Sequence, residues 1–398
     1  MIAISWHWIG LGLLTLQLPA TALLLARLGK APFRPPPLPA TASDPEPANQ
    51  VSVLVPTLNE AERIEPCLQG LHQQGQQLRE VVVIDSRSQD GTVEKVLAMQ
   101  TQDPRFRVIT DDPLPAGWVG RPWALESGFR QAHPQSTWIL GIDADTRPQP
   151  GLIASLTEVA TTEGFDLISL APRFILQHWG EAWLQPALLV TLIYRFGAAG
   201  EVGVAPARVM ANGQCFLVRK SVLEQVGGYS LARASFCDDV TLARAIAAQG
   251  YKVGFLDGSN LIQVRMYTSL PETWREWGRS LDLKDASSPT QIWGDWLFLV
   301  LVQGIPVPLL VLLLGLQAWA SADAVILALL GLNAGLILFR WGLLAGIAHS
   351  YTHRPWTFWL SPLADPLAVV RIGLSSLTQP RSWRGRRYDS QLKHETQV

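Results

Sequence analysis

A chain of 398 residues has room for two or three domains and a large core, and 16% charged against 48% hydrophobic residues excludes disorder for most of it. The 16 Trp and the positive mean hydropathy indicate contact with lipid as well as water. A net charge of −1 offers no basic stripe for nucleic acid, which is excluded as a partner; three scattered cysteines, Cys67, Cys215 and Cys237, make neither a disulfide framework nor a zinc site and fit the reducing cytosol.

Residues 8–26 run uncharged for 19 positions, close to the roughly 20 of a spanning helix. Arg27, Lys30 and Arg34 follow this stretch, whereas a cleaved signal peptide carries its charges ahead, so residues 1–30 are expected to be a retained anchor with its N-terminus outside. Residues 31–49, rich in Pro and Ala, are expected to be an extended linker that cannot pack. From Val51 onward β-branched runs at 51–55, 80–85, 105–110 and 137–143 alternate with helical patterns, the first placing Ile64, Leu68 and Leu71 on one face, the next at 91–99 and 122–132. This alternation predicts an α/β domain over 50–290 with a parallel, doubly wound sheet, whose ligands bind at the carboxyl ends of the strands.

Those ends are acidic. Asp85 closes the second strand before a turn with Asp90 and Gly91; its carboxylate either caps the next helix or binds a base or ribose. Asp143 and Asp145 leave the fourth strand two residues apart, a spacing that suits Mg²⁺ or Mn²⁺ with substrate phosphates completing the shell, and hence a nucleoside diphosphate. Asp238 and Asp239 open a helical pattern carrying Leu242, Ala245 and Ile246, and read either as cap and first-turn carboxylates or as the source of a general base. Residues 179–199, apolar but for Glu181 and Arg195, are either core or an interfacial helix with Trp183 and Tyr194 at headgroup level. Residues 291–375 are assigned to the membrane. Within them 296–322 are uncharged and 324–348 carry only Arg340, which predicts a helical hairpin turning near Asp323. Residues 356–374, with Asp365, Arg371 and two prolines, are expected to be re-entrant or interfacial, a further span being the alternative. The tail 376–398, with Arg381, Arg384, Arg386, Arg387 and Lys393, is expected in the cytoplasm, as a membrane-surface patch or as guanidinium groups for a diphosphate.

The order of these features resembles glycosyltransferase family 2, whose nucleotide-sugar-binding fold is called GT-A. VSVLVPTLNE at 51–60 is similar to that family's opening strand and loop, 85–92 to its uridine-contacting turn, and Asp143 with Asp145 to its metal motif; Asp238 and Asp239 with Gly250 and Tyr251 resemble its catalytic-base helix, and 117–128 a segment with a basic residue near the phosphates. The resemblance implies that Pro56, Glu60 and Asp85 contact the nucleoside, that Asp145 assisted by Asp143 holds Mn²⁺ or Mg²⁺, that Arg121, Asp143, Asp238 and Arg279 belong to the nucleotide-sugar site, and that Asp239 is the base. Ser86 and Arg87 stand where Asp-Gly is frequent. The Gln-x-x-Arg-Trp motif of processive synthases is absent, Trp274 to Trp277 and Arg279 occupying that region, which implies one sugar added per acceptor. GWVGRPWA at 117–124, RMY at 265–267 and WRGRRY at 383–388 resemble the membrane-bound members that glycosylate carotenoids. The implied whole is a GT-A domain between an N-terminal transmembrane anchor and C-terminal transmembrane helices, cytoplasmic at a bacterial cell membrane, moving a sugar from a UDP-sugar, read as UDP-glucose, with inversion to a hydroxyl of a carotenoid. A sphingolipid, hopanoid or polyprenyl phosphate acceptor is the alternative, and an inactive membrane scaffold of the same fold is another.

Overall fold

The computed structural model describes residues 2–29, 33–41, 48–201, 203–277, 281, 283–317 and 323–378, and the backbone of 382–383 and 386–387. The chain divides into two compact units, one of residues 1–34, 176–198 and 267–379, the other of 35–175, 199–266 and 380–398. In chain order the elements are α1 (Ile2–Leu28), β1 (Val51–Thr57), α2 (Ile64–His72), β2 (Leu78–Asp85), α3 (Thr92–Gln102), β3 (Phe106–Thr110), α4 (Gly120–Gln131) and β4 (Trp138–Ile142). There follow β5 (Thr146–Pro148), α5 (Leu152–Thr162), β6 (Leu167–Ala171), β7 (Arg173–Phe174), α6 (Trp179–Phe196), β8 (Cys215–Arg219), α7 (Lys220–Gln225), α8 (Asp238–Ala248), β9 (Val253–Asp257) and β10 (Ile262–Val264). The remainder is helical: α9 (Leu270–Glu276), α10 (Pro289–Leu299), α11 (Pro306–Gln317), α12 (Ala324–Gly346), α13 (Trp356–Trp359) and α14 (Asp365–Leu377).

The α/β unit is built on a seven-stranded sheet of order β3-β2-β1-β4-β8-β6-β9. Its strands are continuously apolar because both faces are covered, and the period of two deals alternate residues to two cores. Val51, Val53 and Val55 of β1 pack with Ile64, Leu68 and Leu71 of α2 and with α3 and α5. Leu54, with Val82 and Ile84 of β2, packs on the opposite face with Ala124 and Leu125 of α4 and Leu242 and Ile246 of α8. The sheet is doubly wound as expected, but it is mixed, not parallel. β8 runs antiparallel to both β4 and β6, with Ile142 opposite Cys215. The cause is the path of the chain. It enters β8 from the end where β4 leaves the sheet, so residues 211–214 come to lie beside the carboxyl end of β4, a placement with no trace in hydrophobic periodicity. β5 follows β4 at once, pairing with β10 in a small second sheet that also holds β7. Asp143 to Asp145 are therefore the short link between two strands.

Residues 38–41 of the Pro-rich segment do pack. Leu38 N–H donates to Asp257 O (2.9 Å), Thr41 N–H donates to Ser155 Oγ (2.9 Å), and Ser155 Oγ donates to Pro39 O (2.9 Å). An extended segment with its backbone groups unpaired is a ready partner for exposed loops and helix ends. Nor do the sequence limits of 50–290 coincide with a compact unit, since α6 and residues 267–379 cluster with the other helices.

In the helical unit, residues 7–28 of α1 and all of α12 are long and apolar enough to cross a membrane, and α10 with the turn up to Gly304 and α11 make a third only if a pair bent by 45° counts as one span. The first arm of the expected hairpin is thus broken. Residues 300–304 form a π turn, and Pro306, which has no N–H to donate, starts the next helix. Asp323 caps α12, accepting from Val325 N–H (2.7 Å). Gln17 of α1 and Asn333 of α12 exchange side-chain amide hydrogen bonds (3.0 and 3.1 Å), polar glue in an apolar seam. Arg340, 3% exposed, donates to Asp365 (2.9 Å) and Ser361 (3.0 Å). α6 is buried around almost its whole circumference, Tyr194 completely, and so is not an interfacial helix. Apolar periodicity cannot distinguish lipid from neighbouring helices. α14, at 13 residues, is too short to span; it buries Ala368, Val369 and Ile372 and exposes Leu367, Val370, Leu374 and Leu377.

Candidate active site

All the described site residues expected from the sequence lie in the α/β unit, at the carboxyl ends of β1, β2 and β4 and at the start of α4 and α8. Pairing of β1 with β4 stops at Leu54, whereas β1 and β2 continue to Thr57 and Asp85, so the sheet splits where ligands bind in doubly wound folds. Pro56, lacking an N–H, sits beyond the β4 ladder, where no donor is required. Asp85 accepts from Thr57 Oγ1 (3.2 Å) and Ser88 N–H (2.9 Å). The loop after β1 is sewn to the turn after β2: Asn59 N–H donates to Ser88 Oγ (2.8 Å), Glu60 N–H to Thr92 Oγ1 (2.9 Å) and Ala61 N–H to Asp90 (2.9 Å). The Asp90 carboxyl lies below its ordinary range because the Thr92 hydroxyl and the N–H groups of Ala61 and Thr92, which donate to it, outweigh desolvation. Arg87 has φ of 69°, the left-handed conformation in which Gly is at ease, and its guanidinium pairs with Asp112. The departure from Asp-Gly therefore keeps the turn's backbone shape.

The second group of residues centres on Arg121, in the first turn of α4. Its Nε donates to Asp143 Oδ1 (3.0 Å), which Nη2 also approaches (2.9 Å); Nη2 donates to Gly213 O (2.8 Å), and Nη1 donates to the Asp238 carboxylate. Asp239 is half-buried and accepts from Gly213 N–H (2.6 Å) and from its own helix at Val240 N–H (2.9 Å). Burial pushes the Asp238 carboxyl up to about 7, with Arg121 opposing and Asp239 and Asp143 adding; burial also raises Asp239. Arg121 is held firmly charged, because the carboxylates of Asp143, Asp238 and Asp239 outweigh its own desolvation. A small cavity here is lined by Arg121, Gly213, Phe216, Tyr229, Asp238 and Asp239.

The β4–β5 link holds the third group. Asp145 is half-buried, and Asp143 O accepts from Thr146 Oγ1 (2.8 Å) and from the Cys67 thiol (3.8 Å). Burial pushes that thiol up to about 12; the Thr146 hydroxyl opposes, and the carboxylates of Asp145, Asp143 and Glu60 add to it. A protonated thiol is a poor ligand, so the donor set is carboxylate oxygen, which fits Mg²⁺ or Mn²⁺. Among the described residues no three His, Cys, Asp or Glu side chains could hold an ion by themselves, so phosphate and water oxygens would have to complete the shell of Asp143 and Asp145. Arg279 lies outside the described residues, as do Arg381, Arg384 and Lys393; of Arg386 and Arg387 only the backbone is described.

Sequence reasoning missed Gly213. A Cβ there would stand 2.4 Å from Arg121 Nη2, so only glycine lets the guanidinium reach that carbonyl. It also missed Glu126, buried in α4, which accepts from Tyr229 N–H (2.9 Å) and from Arg130 Nε (2.7 Å), fixing the loop ahead of α8. A backbone contact leaves no residue-type signal; the Gly227-Gly228 pair before Tyr229 was the available clue.

The α/β unit, a mixed sheet that splits where the carboxylates gather, has the GT-A fold that the comparisons with known proteins show. Residues 52–227 match the profile of Glycosyl transferase family 2, so the chain carries a glycosyltransferase domain of that family. It is similar, at 26% identity over 232 residues, to the succinoglycan biosynthesis protein ExoA of Rhizobium meliloti, covering 57% of this chain and 66% of that protein. It is also similar, at 22% over 248 residues, to the 4,4'-diaponeurosporenoate glycosyltransferase of Staphylococcus haemolyticus, covering 62% and 65%. The chain spans just under two thirds of the length of either relative. Among solved structures, the mannosyltransferase PcManGT of Pyrobaculum calidifontis in complex with GDP-Man and Mn²⁺ shares the fold, with a TM-score of 0.56 at 20% identity over 93% of this chain and 98% of that one.

Proposed function

We propose that the protein transfers a single sugar from a UDP-sugar, read as UDP-glucose, to a hydroxyl of a lipophilic acceptor, read as a carotenoid, with inversion at the anomeric carbon. The observation that carries this reading is the unequal state of two adjacent carboxylates. Asp238 is buried and committed to Arg121, whereas Asp239 is half-buried, held among the described residues by two backbone N–H groups and raised by burial, as suits a base. Asp239 takes the proton as the acceptor hydroxyl attacks, the bond from the anomeric carbon to the diphosphate oxygen breaks, and UDP departs. Pro56, Glu60 and Asp85, on the stitched loops of β1 and β2, bind the nucleoside. A divalent cation held by Asp145 and Asp143 would supply charge neutralisation for the departing diphosphate.

A lipophilic acceptor is supported by the two apolar helices of spanning length, by the exposed apolar stripe of α14 and by the similarity to a diaponeurosporenoate glycosyltransferase. The protein would then be held at the cytoplasmic face of a membrane. The higher identity to a succinoglycan biosynthesis protein favours a second reading, a saccharide acceptor. Both are tested by incubating the membrane-reconstituted protein with UDP-glucose, Mn²⁺ and each acceptor class and identifying products by mass. A hexosylated hydroxycarotenoid supports the first reading; hexose on a lipid-linked saccharide alone replaces it.

A further inference from the structure

We propose that Arg121 is a positioning residue, which acts on the transfer through Asp143, Asp238 and Asp239 and not by gripping the donor diphosphate. The inference rests on the glycosyl-transfer reading and departs from the expected place of this residue among the nucleotide contacts. A guanidinium has five N–H donors. Three make hydrogen bonds inside the protein, Nε to Asp143 Oδ1, one N–H of Nη2 to Gly213 O and one of Nη1 to Asp238, and Nη2 also lies 2.9 Å from Asp143 Oδ1 as an ion pair. The side chain is 13% exposed, so little of it is open to a ligand. The fork instead joins three chain segments that meet only because β8 is antiparallel: the β4–β5 link, the residues leading into β8, and the start of α8. By binding Asp143 through Oδ1 it leaves Oδ2 for the cation. By engaging Asp238 it separates the pair, leaving Asp239 to the N–H groups of Gly213 and Val240. Through Gly213, whose carbonyl it holds and whose N–H holds Asp239, it fixes the orientation of the base. Gly213 is part of the same device, since a Cβ would lie 2.4 Å from Nη2 and 2.8 Å from Cζ.

A phosphate-gripping arginine and a positioning one differ in what their replacement costs. Lys keeps the charge and can still serve a phosphate, but it cannot span two carboxylates and a carbonyl at once. Arg121→Lys and Gly213→Ala are compared with the wild-type chain in steady-state transfer from UDP-glucose and in calorimetric titration with UDP and Mn²⁺, folding being checked by thermal unfolding. The expected result is a fall in kcat of about 100-fold in each variant, the scale of a small misplacement at a reacting centre, with KM for UDP-glucose and UDP affinity within about threefold of wild type. The double variant should lose little more than either single one, because both break one clasp. UDP affinity reduced about tenfold or more in Arg121→Lys, or kcat unchanged, overturns the proposal. If Gly213→Ala fails to fold, Arg121→Lys alone decides, since it leaves the backbone contact sterically open. Wild-type protein that does not bind UDP with Mn²⁺ overturns the donor reading and the proposal with it, and is distinguished because the failure lies in the unmodified chain.

Discussion

Asp238 and Asp239 are adjacent residues of one type, yet the first turn of α8 points one at Arg121 and the other at the backbone of Gly213. Asp239→Asn keeps the size and can accept from one of the two backbone N–H groups, while it removes the basic carboxylate. It is expected to lower kcat by about 10²–10⁴-fold with UDP binding retained, measured by transfer kinetics beside UDP titration. Retained turnover would remove Asp239 from the role of base. At this scale the acidic residues were legible in the sequence because carboxylates gather at strand ends and at a helix start, where a doubly wound sheet binds its ligands, although the same positions also read as helix caps. The clasp that orders them was not, because half of it is the peptide group of Gly213, and a peptide group is the same in every residue. Arg87 illustrates the converse: its side chain departs from the expected pattern, while its φ of 69° keeps the turn.

Individual elements carry their own tests. Asp103, which ends α3, accepts from Arg105 Nη2 (2.7 Å) and hydrogen-bonds His72 at the end of α2 (2.9 Å). Its carboxyl falls to about 2, the Arg105 and His72 contacts outweighing desolvation. A folded pKa below the unfolded value of 3.8 stabilises the fold above that value, and the contribution is lost as pH falls through the folded pKa. Acid unfolding followed between pH 5 and pH 2 should therefore show Asp103→Asn less pH-dependent than wild type; identical profiles would contradict the link. In the helical unit, Arg340→Met leaves Asp365 as a buried unpaired carboxylate. The expected loss is about 3–5 kcal/mol, read as a lowered Tm in detergent, with much of it recovered in Arg340→Met/Asp365→Leu. A single variant as stable as wild type would show the pair to be unimportant. The extent of α12 was legible, since it depends on local sequence, whereas the capping role of Asp323 was not read from it. The bend at Pro306 and the burial of α6 were not, because the same apolar residues serve equally well against lipid or against other helices.

For the whole molecule, the alternation of strands and helices disclosed a doubly wound α/β unit, while the antiparallel β8 and the assignment of 176–198 to the helical unit depend on which segments meet in space. A membrane location predicts that the protein stays with membranes through alkaline carbonate extraction. Cysteines introduced on exposed residues of the α/β unit should react with impermeant maleimide only from the cytoplasmic side; release by carbonate would contradict the membrane reading. The central claim is base-catalysed sugar transfer at the Arg121–Asp239 site onto a lipophilic hydroxyl. The most direct measurement is transfer by reconstituted wild-type and Asp239→Asn protein from labelled UDP-glucose with Mn²⁺, offering a hydroxycarotenoid and a ceramide side by side. The account predicts a hexosylated carotenoid from the wild type and none from the variant. Equal product from both, or none from the wild type with either acceptor, would contradict it.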